Sequence, residues 1–169
     1  MQKGNRPQGK RWNVSFFLPA LLVVAADQLS KTWIRSYPDQ QVIFDVGWFR
    51  IIHAHNTGAA FGLFQGYSFA LTIIGLFGVA VLLAYALFFY RYFPLLDNRL
   101  SKSALGLILG GTLGNLIDRL NPNLGGVTDF ISIGIWPAFN IADSAVVVGT
   151  IIFAYILLRL ARTEKWENG

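Results

Sequence analysis

The chain has no cysteine, and that absence removes several chemistries at once. It allows no disulfide, no thiolate nucleophile and no cysteine-ligated zinc. Charge is scarce as well. Of 169 residues only 14% are charged, 54% are hydrophobic, and mean hydropathy is +0.48. A soluble domain has roughly a quarter of its residues charged, so a water-soluble globule is a poor reading. Also missing are a His-Glu-x-x-His zinc signature and any convincing serine–histidine arrangement. The net charge of +5 and pI near 9.7 leave nucleic-acid binding to be judged from where the basic residues lie.

What the chain does have is long apolar runs. A bilayer core takes about 20 apolar helical residues, each rising about 1.5 Å. Four segments approach that length, at about 14–34, 67–90, 103–117 and 141–160, the third short and glycine-rich. Outer caps are expected over 36–66 and 119–140, in a single integral membrane domain spanning 1–169. The first run continues into Asp27-Gln28-Leu29-Ser30-Lys31 without a clear small-residue cleavage site, so it reads as a retained span. Gly106, Gly110 and Gly114 recur every four residues, with Gly111 beside them, and offer a stripe for close helix packing.

Basic residues set the direction of the spans. Lys3, Arg6, Lys10 and Arg11 precede the first, and Arg91, Arg99 and Lys102 separate the second from the third. Arg159, Arg162 and Lys165 follow the fourth. With four spans all ten lie on one side, so both termini are expected in the cytoplasm. The basic excess is thereby a topology signal, and nucleic-acid binding is not expected. Between the first two spans, Val42 to Phe64 is too polar to cross a membrane and too aromatic for a free loop. Its imperfect alternation predicts a short sheet on the membrane surface.

On this topology the polar residues gather at one face. Asp27 and Lys31 end the first span; Asn115, Asp118 and Arg119 end the third; Asn140 and Asp143 open the fourth; Asn56 and Asp129 lie in the outer connections. Ionisable groups near a membrane interior are costly unless paired and usually mark function. Singly, most have plain roles. Asp27 and Lys31, at i,i+4, suit a structural ion pair, and Asn140 suits a helix N-cap. His53 and His55, two apart on an expected strand, could hold a metal, but with no convincing third ligand they read as ordinary interfacial residues. Asp143 is harder to dismiss, because it lies inside an apolar segment with no lysine or arginine near it in sequence. If Asp129 folds back against it, the two form a carboxyl pair sharing one proton. The ionised member can deprotonate an attacking water while the protonated member donates to a peptide carbonyl.

At these residues the sequence resembles the lipoprotein signal peptidase family (signal peptidase II) along nearly its whole length. Asp27-Gln28-Leu29-Ser30-Lys31 is similar to the family's first-helix motif, and Asn56-Thr57-Gly58-Ala59-Ala60-Phe61 to its outer-loop motif. Gly110 through Arg119 resembles its third-helix motif. Val127-Thr128-Asp129-Phe130 and Phe139-Asn140-Ile141-Ala142-Asp143-Ser144 resemble the two that carry its catalytic aspartates. The resemblance implies a four-helix membrane protein with a small extracytoplasmic β-cradle. It implies an aspartic endopeptidase that cuts prolipoproteins before a diacylglyceryl-modified cysteine, with Asp129 and Asp143 catalytic. Asn56, Gly58, Asn115, Asp118, Arg119 and Asn140 would orient the pair and the substrate. No metal or other cofactor is implied. The expected partners are the prolipoprotein and membrane lipid, the expected state is a monomer, and the expected site is the outer face of the bacterial inner membrane.

Two other readings compete. A small transporter or proton-relay protein could use the same aspartates, but a conduction path needs polar residues through the full depth, and none lines the cytoplasmic half. A purely structural scaffold leaves Asp143 unexplained. An intramembrane protease of the Gly-x-Gly-Asp type is disfavoured because that tetrad is absent.

Overall fold

A computed structural model of the protein describes residues 8–58, 68–93 and 96–167. Ala59, Ala60 and Phe61 of the outer-loop motif, the end of the Val42–Phe64 region, Tyr67, Lys3 and Arg6 lie outside the described residues. Among the described residues, four helices are long and apolar enough to cross a membrane, over Val14–Ile34, Ser68–Phe89, Arg99–Leu120 and Ile141–Arg162. The first span belongs to α1 (Gln8–Ile34), and the others to α2 (Ser68–Ala84), α3 (Arg99–Leu120) and α4 (Ile141–Glu167). A π-helical turn (Tyr85–Phe89) and a 3-10 turn (Tyr90–Tyr92) extend α2.

The third helix is the centre of the bundle. Leu105 and Leu109 of α3 pack with Phe16 and Ala20 of α1 in the buried core, whereas α2 has no fully buried residue. Glycine makes this possible. A Cβ on Gly106 would strike the Phe16 carbonyl oxygen, and one on Gly110 would lie 2.6 Å from the Ala20 carbonyl oxygen. On the opposite side, a Cβ on Gly111 would strike the carbonyl of Ala142 in α4. The glycine stripe thus brings both neighbouring backbones against α3, the close approach that drives association where the hydrophobic effect does not.

α3 is longer than the expected 103–117 run at both ends. It starts early because Asn98 caps it, accepting the Ser101 N–H at 2.9 Å. It ends late because Asp118 and Arg119 find partners on other segments within its last turn. Arg119 and Leu120 therefore belong to the helix, and the connection to the next strand begins at Asn121.

Strands β1 (Val42–Asp45), β2 (Phe49–Asn56) and β3 (Val127–Ile133) form one antiparallel sheet in the order β1-β2-β3. The hairpin turns at Gly47 (φ +82°), whose N–H donates to Asp45 Oδ1 at 2.6 Å. β3 is an addition to the expected cradle. Most of its residues are buried on both faces, so it lacks the polar/apolar alternation that marks a half-exposed strand.

Candidate active site

The site forms where β3 turns back into α4. After Gly134 (φ +54°) the chain returns along β3, and the Phe139 carbonyl accepts the Phe130 and Ile131 N–H groups at 3.0 and 2.8 Å. That return sets Asn140, the residue before α4, beside Asp129 on β3. Asn140 Nδ2 donates to Asp129 Oδ1 at 2.7 Å. The same residue closes the start of α4. Its Oδ1 accepts the Asp143 N–H at 2.9 Å, and its own N–H donates to Asp143 Oδ2 at 3.3 Å. This is the reciprocal geometry of a capping box, with asparagine and aspartate in the two roles. One side chain therefore touches both candidate aspartates.

Each carboxyl has a second donor. Asn56 Nδ2, at the end of β2, donates to Asp129 Oδ2 at 2.9 Å, and Asn115 Nδ2, on α3, donates to Asp143 Oδ1 at 2.8 Å. Asn115 Oδ1 in turn accepts from Lys31 Nζ at 3.0 Å and from Asn140 at 3.1 Å. Asp129 is 1% exposed and Asp143 7%. Burial, reinforced by the neighbouring Asp143 carboxylate, pushes Asp129 up to about 7 against the hydrogen bonds from Asn56 and Asn140. Asp129 is therefore able to take up and release a proton near neutral pH.

Behind the pair lies a denser ionic network. Lys31 Nζ is 2.8 Å from Asp27 and 3.3 Å from Asp118, all three fully buried. Arg35 reaches Asp118 at 2.7 Å, and Gln28 donates to it at 3.2 Å. Asp118 Oδ2 accepts the Thr128 N–H at 3.0 Å, and Arg35 Nε donates to the Thr128 hydroxyl at 2.8 Å, so the network holds β3 against α1 and α3. Asp27 Oδ1 accepts the Ala142 N–H at 3.0 Å, an anion at a helix N-terminus. Asp27 and Lys31 are thus more than a mutual pair: Asp27 fixes the start of α4, one residue from Asp143, and Lys31 reaches Asn115. Arg119 Nη2 donates to the Gly58 carbonyl at 3.0 Å, while its Nε is buried with no partner among the described residues.

Gln28, Arg35 and Thr128 were missing from the candidates read in the sequence. Gln28 and Thr128 stood inside quoted motifs, which could have flagged them, and Arg35 falls one turn beyond Lys31, where helical spacing could have flagged it. A cavity of about 200 Å3 adjoins Asp143, Asn115 and Arg119, walled by Leu71 and Ile74 of α2 and by Val146 and Val147 of α4. His53 and His55 lie elsewhere, on β2, and do not touch the pair.

A family model described as signal peptidase (SPase) II matches residues 19–159, which include every one of these polar groups. The lipoprotein signal peptidase of Dehalococcoides mccartyi strain BAV1 is 47% identical over 156 residues, covering 90% of this chain and 96% of that protein. That of Moorella thermoacetica is 45% identical over 155 residues, covering 90% and 98%. A bacterial membrane enzyme solved by the in meso method at 2.3 Å superposes with a TM-score of 0.71 at 30% identity, over 84% of this chain and 86% of that one. With a match this long, on a four-helix bundle carrying a small antiparallel sheet, the chain belongs to the signal peptidase II family of membrane peptidases.

Proposed function

We propose that this protein removes signal peptides from bacterial prolipoproteins, cutting before a diacylglyceryl-modified cysteine, with Asp129 and Asp143 as the catalytic pair. The observation that carries the reading is Asn140, which hydrogen-bonds to both aspartates and holds them as one unit. In the resting site Asp129 holds the shared proton and Asp143 is ionised. Water attacks the scissile carbonyl carbon, its proton passes to Asp143, and Asp129 protonates the carbonyl oxygen. The C–N bond of the resulting gem-diol then breaks. Asp143 returns its proton to the leaving nitrogen, and Asp129 recovers one from a diol hydroxyl. The products are a carboxyl-ended signal peptide and a lipidated cysteine with a free amine. Proton and water balance close without a further reagent.

Asn56, Asn115 and Asn140 orient the carboxyls, and Asp118 fixes β3 through the Thr128 N–H. Arg119, which lines the cavity beside Asp143 and has a buried Nε with no partner among the described residues, is placed to bind substrate backbone, and its contact to Gly58 ties the outer loop to the site. The apolar wall from α2 suits acyl chains entering from the bilayer. Basic-residue placement supports cytoplasmic termini and an active site at the outer face of the inner membrane. Exposed Phe44, Val46 and Trp48 on the β1–β2 hairpin suit a sheet lying on the membrane interface. The chain is read as one membrane domain acting as a monomer.

Cleavage of a purified prolipoprotein with and without its diacylglyceryl group tests the proposal. The expected product begins with the lipidated cysteine, and removing the lipid lowers the rate by on the order of 100-fold, because remote binding energy no longer positions the bond. Equal rates on the two substrates would contradict lipid recognition, and no cleavage of either would contradict the activity.

A further inference from the structure

We propose that Asp39, His53 and His55 form a site for one divalent transition-metal ion of the zinc type, apart from the aspartate pair. In the sequence the two histidines lacked a third ligand; the fold supplies it. The segment after α1 folds onto β2 through two backbone hydrogen bonds. Gln40 N–H donates to the His53 carbonyl and His53 N–H to the Gln41 carbonyl, each at 2.9 Å. Gln40 adopts φ +62° to make this turn, a conformation that a non-glycine residue rarely takes. Asp39 is thereby carried over to the two histidines. One ligand atom from each of the three side chains lies within 4.8 Å of the other two. The histidines project from the same face of β2, as residues two apart on a strand do, with ring centroids 5.1 Å apart.

The second observation is the state of His53. The residue is 6% exposed, and its Nδ1 lies 2.8 Å from the Tyr37 carbonyl oxygen. A carbonyl only accepts, so Nδ1 carries the hydrogen and Nε2 is left with a lone pair. That Nε2 is buried with no hydrogen-bond partner among the described residues. A buried acceptor without a partner is costly. An imidazole oriented by a carbonyl on one nitrogen and bare on the other is the arrangement found at metal-ligating histidines. Zinc takes imidazole nitrogen and carboxylate oxygen at about 2.0–2.2 Å, so two ligand atoms of a tetrahedral site are about 3.4 Å apart. His55 Nε2 and Asp39 Oδ1 are already 3.6 Å apart. Both side chains are exposed enough to close the remaining distance to His53, and solvent can fill a fourth position. A bound ion would tie the α1–β1 connection to β2 three residues before Asn56, which contacts Asp129. It would brace the cradle without entering the reaction.

Tag-free, full-length protein in detergent, titrated with Zn2+ and separately with Co2+, tests the site without any peptide substrate. The expected result is saturation at one ion per chain, visible absorption from four-coordinate Co2+, and a higher unfolding temperature with Zn2+. His55→Ala and Asp39→Ala should each weaken binding by at least about tenfold, with cleavage of lipidated substrate retained. His53→Gln should do the same if the cradle folds; because His53 is buried, the two exposed residues decide the matter. Absence of saturable binding to the wild-type protein would overturn the proposal. So would saturable binding that both His55→Ala and Asp39→Ala leave unchanged. Because binding is read separately from cleavage, either failure leaves the peptidase reading standing.

Discussion

Four carboxylates are buried near the site, Asp27, Asp118, Asp129 and Asp143, and three cations, Lys31, Arg35 and Arg119, accompany them. Asp27 and Asp118 are matched by Lys31 and Arg35. For the proposed catalytic pair, Asp129 and Asp143, Arg119 is the remaining cation, and one shared proton would complete neutrality. Buried charge is tolerable when balanced in this way, so the proton the proposed mechanism needs is also one that charge balance favours. The raised Asp129 carboxyl has a definite consequence for stability. Its pKa is about 7 in the fold against 3.8 for the unperturbed group. The stability it contributes is therefore full below the unfolded value and lost as pH rises from about 4 through about 7. Asp129→Asn cannot ionise and should lose none of it. Thermal unfolding in detergent should show the variant gaining on the wild type by several degrees between pH 5 and pH 8. A pH-independent difference would mean that Asp129 does not titrate there.

At the scale of elements, α3 sets the geometry, because its glycines let α1 and α4 approach from two sides. Gly111→Val should push Ala142, and with it Asp143, out of place. Overpacking of this kind costs about 1–3 kcal/mol, so the unfolding temperature and cleavage should fall together. Gly78, where an added Cβ meets nothing within 4 Å, provides the control. Gly78→Ala should change neither by much, and a similar loss in both variants would refute the packing argument. The glycine period and the Asp27–Lys31 spacing were legible in the sequence because both are helical, local and periodic. β3 was not, since a strand buried on both faces shows no alternation. The full length of α3 was not either, because the partners that hold Asp118 and Arg119 are distant in sequence. The third member of the histidine cluster was hidden for the same reason: Asp39 reaches His53 through backbone pairing that no local pattern announces.

For the whole molecule, the four apolar helices and the charge asymmetry of their connections were readable from composition, and the meeting of Asp129 with Asp143 depended on the turn at Phe139–Asn140. The topology is open to a clean test because the chain has no cysteine of its own. Single cysteines at Asn98 and Lys165 should react with an impermeant reagent only after permeabilisation, and one at Asn123 should react in intact cells. Labelling of Asn98 from outside would invert or break the four-span arrangement. The central claim is that Asp129 and Asp143 act as one catalytic unit. Its most direct measurement is turnover of a diacylglyceryl-modified prolipoprotein by purified Asp129→Asn, Asp143→Asn and the double variant, each checked for folding by thermal unfolding. Asparagine keeps the shape but cannot exchange a proton, and general acid–base help is typically worth about 10²–10⁴-fold. Each single variant should lose at least that much, and the double variant should be hardly slower than either. Substantial turnover by folded Asp143→Asn, or losses that multiply in the double variant, would contradict the account.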